Sequence, residues 1–281
     1  MKRASVNGIT IAYDDVGSGT DALLFVHGHP FNRSMWRPQI EALRGSTWRV
    51  IAPDLRGYGE SSVVPGKTTL DVFATDLAAL LDHLNQDQVV LVGLSMGGQI
   101  VMEFCRQYST RVRGVVLAAT SPVAEAEDGK RARNAMADRL LREGMDGYAA
   151  EVLAKMVAPS CMAEQPSVAA HVLAMMRGTD PHGAAAALRG RAERPAYEPT
   201  LAELSVPALI CVGDEDVFTT RADAELMQRL LRRSELLWLN GVGHMPNLER
   251  RAEFNVALAH FLAGVPAMSL HTIPNGENDG S

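Results

Sequence analysis

Short apolar runs alternate with longer stretches whose apolar positions recur at helical spacing. The runs fall at 22–26, 48–52, 89–92, 114–118, 208–212 and 235–239, each four or five residues long. Between or after them, helical patterns occupy 34–44, 70–85, 96–108, 221–231 and 252–262. Continuous apolar runs of strand length are expected where both faces of a sheet are covered, and helices between them provide the crossovers that parallel strands need. The pattern therefore predicts an α/β fold with a mainly parallel central sheet flanked by helices.

One interval departs from this rhythm. From 121 to 200 no strand pattern is found, only Ala-, Met- and Arg-rich helical stretches separated by Pro159, Pro166, Pro181 and Pro195. The segment reads as a helical insertion over the C-terminal edge of the sheet, where open α/β folds bind ligands. The expected division is a core of 1–120 and 201–265, a helical cap of 121–200, and a Gly- and Asn-rich tail, 266–281, expected to be disordered. No internal repeat is found.

With 281 residues, 47% of them hydrophobic, the chain can bury a sizeable core. A formal charge of -6 without acidic or basic blocks gives no electrostatic reason to expect nucleic acid or an anionic membrane as partner, so a small molecule is expected instead. Cys105, Cys161 and Cys211 are odd in number and widely spaced, as for free thiols in a reducing compartment. The start, MKRASVNGITIAYDD, lacks the apolar region of a secretion signal, and no later run reaches the ~18 apolar residues of a membrane span. The expectation is a soluble cytoplasmic protein; oligomeric state is not legible.

Candidate chemistry begins after the run at 89–92, with Gly93-Leu94-Ser95-Met96-Gly97-Gly98 and then a helical pattern. This is a G-x-S-x-G set between strand and helix, a turn tight enough to push a serine hydroxyl out above a sheet. Side chains at Gly93 or Gly97 would collide with the adjoining strand and helix. Three fixed positions arise by chance in about one chain in ten of this length, so the motif needs its context. A phosphate-binding loop fits less well, because no Lys-Ser/Thr pair follows the glycines.

Four further motifs supply that context. His27-Gly28-His29-Pro30 follows the first run, and Asp54-Leu55-Arg56-Gly57-Tyr58-Gly59-Glu60-Ser61 follows the second. Gly213-Asp214-Glu215-Asp216 and Gly241-Val242-Gly243-His244 follow the last two. In this order, each at a strand end, they resemble the α/β-hydrolase family over residues 6–263. The resemblance implies the α/β-hydrolase fold with a helical cap inserted after the sixth strand, and no cofactor or metal.

It also implies roles. Ser95 would be the nucleophile, and a serine hydroxyl needs a base within reach. Of eight histidines, His83 and His260 lie in helical patterns, His171 and His182 in the insertion and His271 in the tail; His244 alone follows the last strand in a Gly-containing loop. The imidazole needs a carboxylate behind it. The family's G-x-x-D pattern selects Asp216, with Asp214 the alternative one turn away and Glu125 a remoter one. The oxyanion donors implied are the backbone N–H groups of His29 and Met96. His27 would brace the loop, and the His27/His29 pair lacks a third ligand for a metal. Pro30 is a candidate for a cis bond.

Epoxide hydrolases and haloalkane dehalogenases share the H-G-x-P form but carry a carboxylate at the elbow, and Ser95 argues against both. What remains is a serine esterase or lactonase acting on a small ester or lactone. The alternatives are a carbon-carbon bond hydrolase, a peptidase or a cofactor-free perhydrolase on the same triad, or a non-catalytic receptor on the same scaffold. The stretch 140–159, LLREGMDGYAAEVLAKMVAP, resembles the cap of 3-oxoadipate enol-lactonases and related esterases. Met136, Met145, Met156, Met162, Met175 and Met176 fit either an adaptable apolar pocket or core packing. Arg131, Arg133, Arg139 and Arg142 read as a solvated helix face, unless one meets a substrate carboxylate.

Overall fold

The structure, a computed structural model, describes residues 1–266; of the tail expected to be disordered, residues 267–281, with His271 among them, lie outside the described residues. Eight strands form one sheet: β1 (Lys2–Val6), β2 (Ile9–Val16), β3 (Asp21–Val26), β4 (Trp48–Pro53), β5 (Val89–Leu94), β6 (Val112–Ala118), β7 (Ala208–Gly213) and β8 (Ser234–Leu239). Their spatial order is β1-β2-β4-β3-β5-β6-β7-β8. The six from β3 to β8 run parallel, while β2 pairs antiparallel with both β1 and β4. All six apolar runs are strands, to within two residues at either end.

The crossovers are α1 (Arg37–Ala42), α2 (Leu70–His83) and α3 (Met96–Gln107). Between β6 and β7 lie six helices: α4 (Glu127–Glu143), α5 (Asp146–Met156), α6 (Pro159–Glu164), α7 (Pro166–Arg177), α8 (Pro181–Arg191) and α9 (Glu198–Glu203). Then come α10 (Arg221–Leu230), α11 (Pro246–Glu249) and α12 (Arg251–Ala263). Pro159, Pro166 and Pro181 each sit in the first turn of a helix, where the missing N–H costs nothing. The helix expected over 34–44 is instead a 3₁₀ turn, Arg33–Trp36, followed by α1, with Pro38 in the first turn of α1.

Alternation along the strands sorts the core into two layers. From β3, Leu24 and Val26 pack with Phe73, Leu77, Ile100, Phe104 and Met227 of α2, α3 and α10. Leu23 and Phe25 face the other way, toward Trp36, Phe254 and Leu258. That second layer also takes in Met156, Cys161, Val172, Met175 and Met176 from α5 to α7. The parallel strands all end in the same direction, so the turns after β3, β5, β6, β7 and β8 gather at one rim. Among the described residues no helix is long and apolar enough to cross a membrane.

Candidate active site

The turn after β5 is strained by design of its sequence. Ser95 has φ 57° and ψ -117°, a left-handed backbone that a non-glycine residue holds only when the surroundings enforce it. They do: Ser95 N donates to Ala118 O at 2.9 Å, and Thr120 Oγ1 donates to Ser95 O at 2.8 Å. A Cβ on Gly93 would stand 2.4 Å from Gly97 O, and one on Gly97 would stand 2.1 Å from Val26 O. Both glycines are therefore required by close backbone approach.

The turn after β3 places His29 beside this elbow. The His29–Pro30 bond is cis. His27 is wholly buried; its Nδ1 donates to Gly28 O and its Nε2 accepts from Leu55 N, both at 2.9 Å. Burial pushes its basicity down, as a neutral ring that braces two loops requires. His29 shares a 2.8 Å hydrogen bond with the Tyr58 hydroxyl, and burial, with Arg191 and Arg133 nearby, holds its imidazole well below the usual range. Among the described residues, neither the His29 N–H nor the Met96 N–H has a protein acceptor.

The D-x-R-G-x-G-x-S turn after β4 is a knot of polar contacts. Asp54, wholly buried, accepts from Arg33 N and Glu60 N, each at 2.8 Å, and pairs with the Arg33 guanidinium. Arg56 holds Asp76 through two 2.7 Å bonds, and Ser61 Oγ donates to Asp54 O at 2.7 Å. These residues fix the loop against which His27 and Tyr58 rest.

The turns after β7 and β8 bring a carboxylate to an imidazole. His244 Nδ1 and Asp216 Oδ2 are 2.8 Å apart, with both side chains almost fully buried. Asp216 Oδ1 accepts from Phe218 N at 2.8 Å and Thr219 N at 3.2 Å. Burial works against the charge on Asp216, but the nearby His244 and these hydrogen bonds outweigh it and hold the carboxyl below its ordinary value. Asp214 instead accepts from Gly241 N at 2.6 Å, bracing the histidine loop from outside. Glu125 pairs with Arg133 and Arg194 rather than with His244, although it lines the same cavity.

Sequence reasoning missed Glu249, which clamps the histidine loop from within. Its carboxylate, 3% exposed, accepts from Gly243 N at 3.1 Å and Met245 N at 3.0 Å, on either side of His244, and from Ala158 N at 2.8 Å. Burial pushes this carboxyl up from its ordinary value, opposed by the three N–H donors. His244 N in turn donates to Met156 O at 3.1 Å. Nothing in the spacing of Glu249, five residues past His244, announces this.

Ser95, His29 and His244 line one cavity of about 330 Å³, between the strand ends and the helices α4, α5 and α8. Tyr148, Val152, Met156 and Leu188 form its apolar wall. Of the six methionines considered for an adaptable pocket, Met156 alone is in that wall. Met175 and Met176 are packed into the core, Met145 is buried with Tyr148 and Leu188, and Met162 is exposed. Arg133 also departs from the solvated face expected of it and lines the cavity, whereas Arg131 is exposed. The three cysteines are free and buried, and burial raises Cys105 to about 12 and Cys161 to about 11.

The alpha/beta hydrolase fold family matches residues 21–251, and the chain belongs to it. It is similar to 3-oxoadipate enol-lactonase 1 of Acinetobacter baylyi, 28% identical over 244 residues that span 87% of this chain and 89% of that one. Among solved structures, a thermophilic esterase from Thermogutta terrifontis superimposes with a TM-score of 0.90 at 35% identity, covering 94% of this chain and 98% of the esterase. The enol-lactonase from Burkholderia xenovorans superimposes with a TM-score of 0.85 at 27% identity, covering 93% and 100%. This protein is a hydrolase of the α/β type.

Proposed function

We propose that this hydrolase cleaves a small carboxylic ester or lactone through an acyl-enzyme, with Ser95 as nucleophile, His244 as general base and Asp216 as its orienting acid. The observation that carries the reading is the buried 2.8 Å contact between His244 and Asp216, in a loop pair whose imidazole shares a cavity with Ser95. Similarity to an esterase and to two enol-lactonases supports the ester or lactone class.

In the first half-reaction Ser95 Oγ adds to the substrate carbonyl carbon as its proton passes to His244, and the charge moves to the carbonyl oxygen. The His29 and Met96 N–H groups, which have no protein acceptor among the described residues, receive that oxyanion; one such donor is worth on the order of 10²- to 10³-fold in turnover. Collapse expels the alkoxide, which takes the proton from His244, and in a lactone this opens the ring. Water then repeats the sequence on the acyl-enzyme, releasing the acid and restoring the serine. Residues 121–200 serve as a cap over a core formed by 1–120 and 201–265, closing the cavity against bulk water and shaping it for the substrate.

The test is a panel of short and long esters, lactones and 1,3-diketones offered to the wild type and to Ser95→Ala. Ester or lactone turnover is expected to fall by roughly 10⁶-fold in the variant, with the fold retained by circular dichroism. Undiminished turnover in folded Ser95→Ala rejects the mechanism, and preferential cleavage of diketones moves the reaction to carbon-carbon bonds.

A further inference from the structure

Three guanidinium groups line the cavity, those of Arg133, Arg191 and Arg194, with two carboxylates, those of Glu125 and Asp223. Glu125 is shared by two of the arginines: its Oε2 accepts from Arg133 Nε at 2.6 Å and lies 3.5 Å from Arg194 Nη2. Asp223 is committed to the start of α10, accepting from Thr220 N at 2.9 Å, Thr220 Oγ1 at 2.6 Å and Ser121 Oγ at 2.6 Å. Arg191 is left over. Its Nε donates to Gln99 Oε1 at 3.1 Å, and among the described residues its two terminal nitrogens have neither a hydrogen-bond acceptor nor an ion pair.

Arg191 is only 9% exposed and stands at the last residue of α8, lining the cavity. Buried cations are almost always paired, because losing water without a counter-charge is costly. Burial, with Arg133 and Arg194 as neighbouring cations, pushes Arg191 well below the usual guanidinium range. A guanidinium keeps its proton at physiological pH, so that push is a cost which Glu125 offsets only in part and which an anion entering the cavity would reduce further. Gln99 lies four residues after Ser95, one turn along α3, and both line the cavity. The contact with Gln99 thus anchors Arg191 to the helix that carries the serine.

Resting on the serine-hydrolase reading above, we propose that the substrate is an ester or lactone bearing a separate free carboxylate, which Arg191 receives at its two terminal nitrogens while the scissile carbonyl meets Ser95. Two parallel N–H donors match the planar carboxylate, and the cavity's surplus of one positive charge matches a monoanion better than a phosphate dianion.

The experiment compares 4-nitrophenyl hydrogen adipate with its methyl ester, which share the scissile ester and the six-carbon acyl chain and differ by the terminal charge and the one methyl group that caps it. The wild type is expected to favour the anionic ester in kcat/KM by roughly 10- to 100-fold, the worth of hydrogen bonds to a charged group. Arg191→Gln is expected to abolish that preference, mostly through KM, and Arg191→Lys to keep part of it. Free adipate is expected to compete with a neutral ester in the wild type and to do so roughly tenfold or more weakly in Arg191→Gln. A wild type that favours the neutral ester overturns the proposal, as does a preference unchanged in folded Arg191→Gln, or competition by inorganic phosphate but not by adipate. Should Arg191→Gln fail to fold, the wild-type preference and the adipate competition decide it. Calorimetry of adipate with Ser95→Ala separates the two readings. Arg191-dependent binding without ester turnover by the wild type sinks the hydrolytic mechanism and keeps the anion site, whereas rapid turnover with no charge preference does the reverse.

Discussion

Asp216 is a carboxylate with every lone pair of one oxygen turned to backbone N–H groups and the other oxygen turned to an imidazole. Because these contacts hold its folded-state value below the ordinary 3.8, the group contributes stability that is fully present above that value and lost as pH falls through the lower, folded one. Asp216→Asn keeps the two backbone acceptor bonds but not the charge. The wild type is therefore expected to melt a few degrees above the variant at pH 7, in line with roughly 1.5–3 kcal/mol for hydrogen bonds to a charged group. The gap should close as the melts are repeated toward pH 3, and a gap that widens instead would show that the buried charge costs more than its partners return. The family's spacing selects Asp216 over Asp214; that Asp216 meets His244 while Asp214 accepts from Gly241 N is visible only in three dimensions. Glu249, Gln99 and Arg191 were illegible for the same reason: each gains its meaning from a partner distant in sequence or from the lack of one, and no local pattern encodes that.

At the scale of elements, α8 is held by backbone-to-backbone contact with the loop after β4. A Cβ on Gly183 would stand 1.9 Å from Gly57 O and one on Gly190 would stand 1.6 Å from Thr68 O, while Thr68 N donates to Ala186 O at 3.0 Å. This helix delivers Arg191 to the cavity, so its docking sets the position of that guanidinium. Gly190→Ala is expected to lower stability by roughly 1–3 kcal/mol or more through overpacking. Gly147→Ala in α5, whose new methyl would find nothing nearer than Arg139 Nη2 at 3.9 Å, is expected to raise it by about 0.4–1 kcal/mol. Opposite shifts in melting temperature would bear this out; a tolerated Gly190→Ala would mean that α8 is not closely docked. Sequence reading saw only a helix in this Ala- and Gly-rich stretch, since small residues announce close approach without naming the partner. The antiparallel pair β1 and β2 was missed for a different reason. Its outer positions are polar and its apolar runs broken, although Asn7-Gly8, both at positive φ between the paired Val6 and Ile9, is a two-residue hairpin signal in its own right.

At the scale of the whole molecule, the insertion between β6 and β7 is not packed as a separate body. Met156, Val157, Cys161, Val172 and Met176 belong to the same buried layer as Phe25, Val92 and Phe254 of the sheet side. The loop bearing His244 is tied to the insertion twice over, through Met156 O and through Glu249, which also holds Ala158 N. A layer shared in this way unfolds as a unit, because removing one side exposes the apolar surface of the other. All three tryptophans, Trp36, Trp48 and Trp238, lie outside the insertion, whereas six of the twelve α-helices of the described residues lie within it. Tryptophan fluorescence therefore reports the sheet and its flanking helices, whereas far-ultraviolet circular dichroism draws on the helices of the insertion as well. The two urea transitions are expected to coincide in midpoint and slope. If part of the circular dichroism signal were lost before the fluorescence changed, the insertion would be an independently melting unit, and the loop of His244 would lose its support before the sheet does.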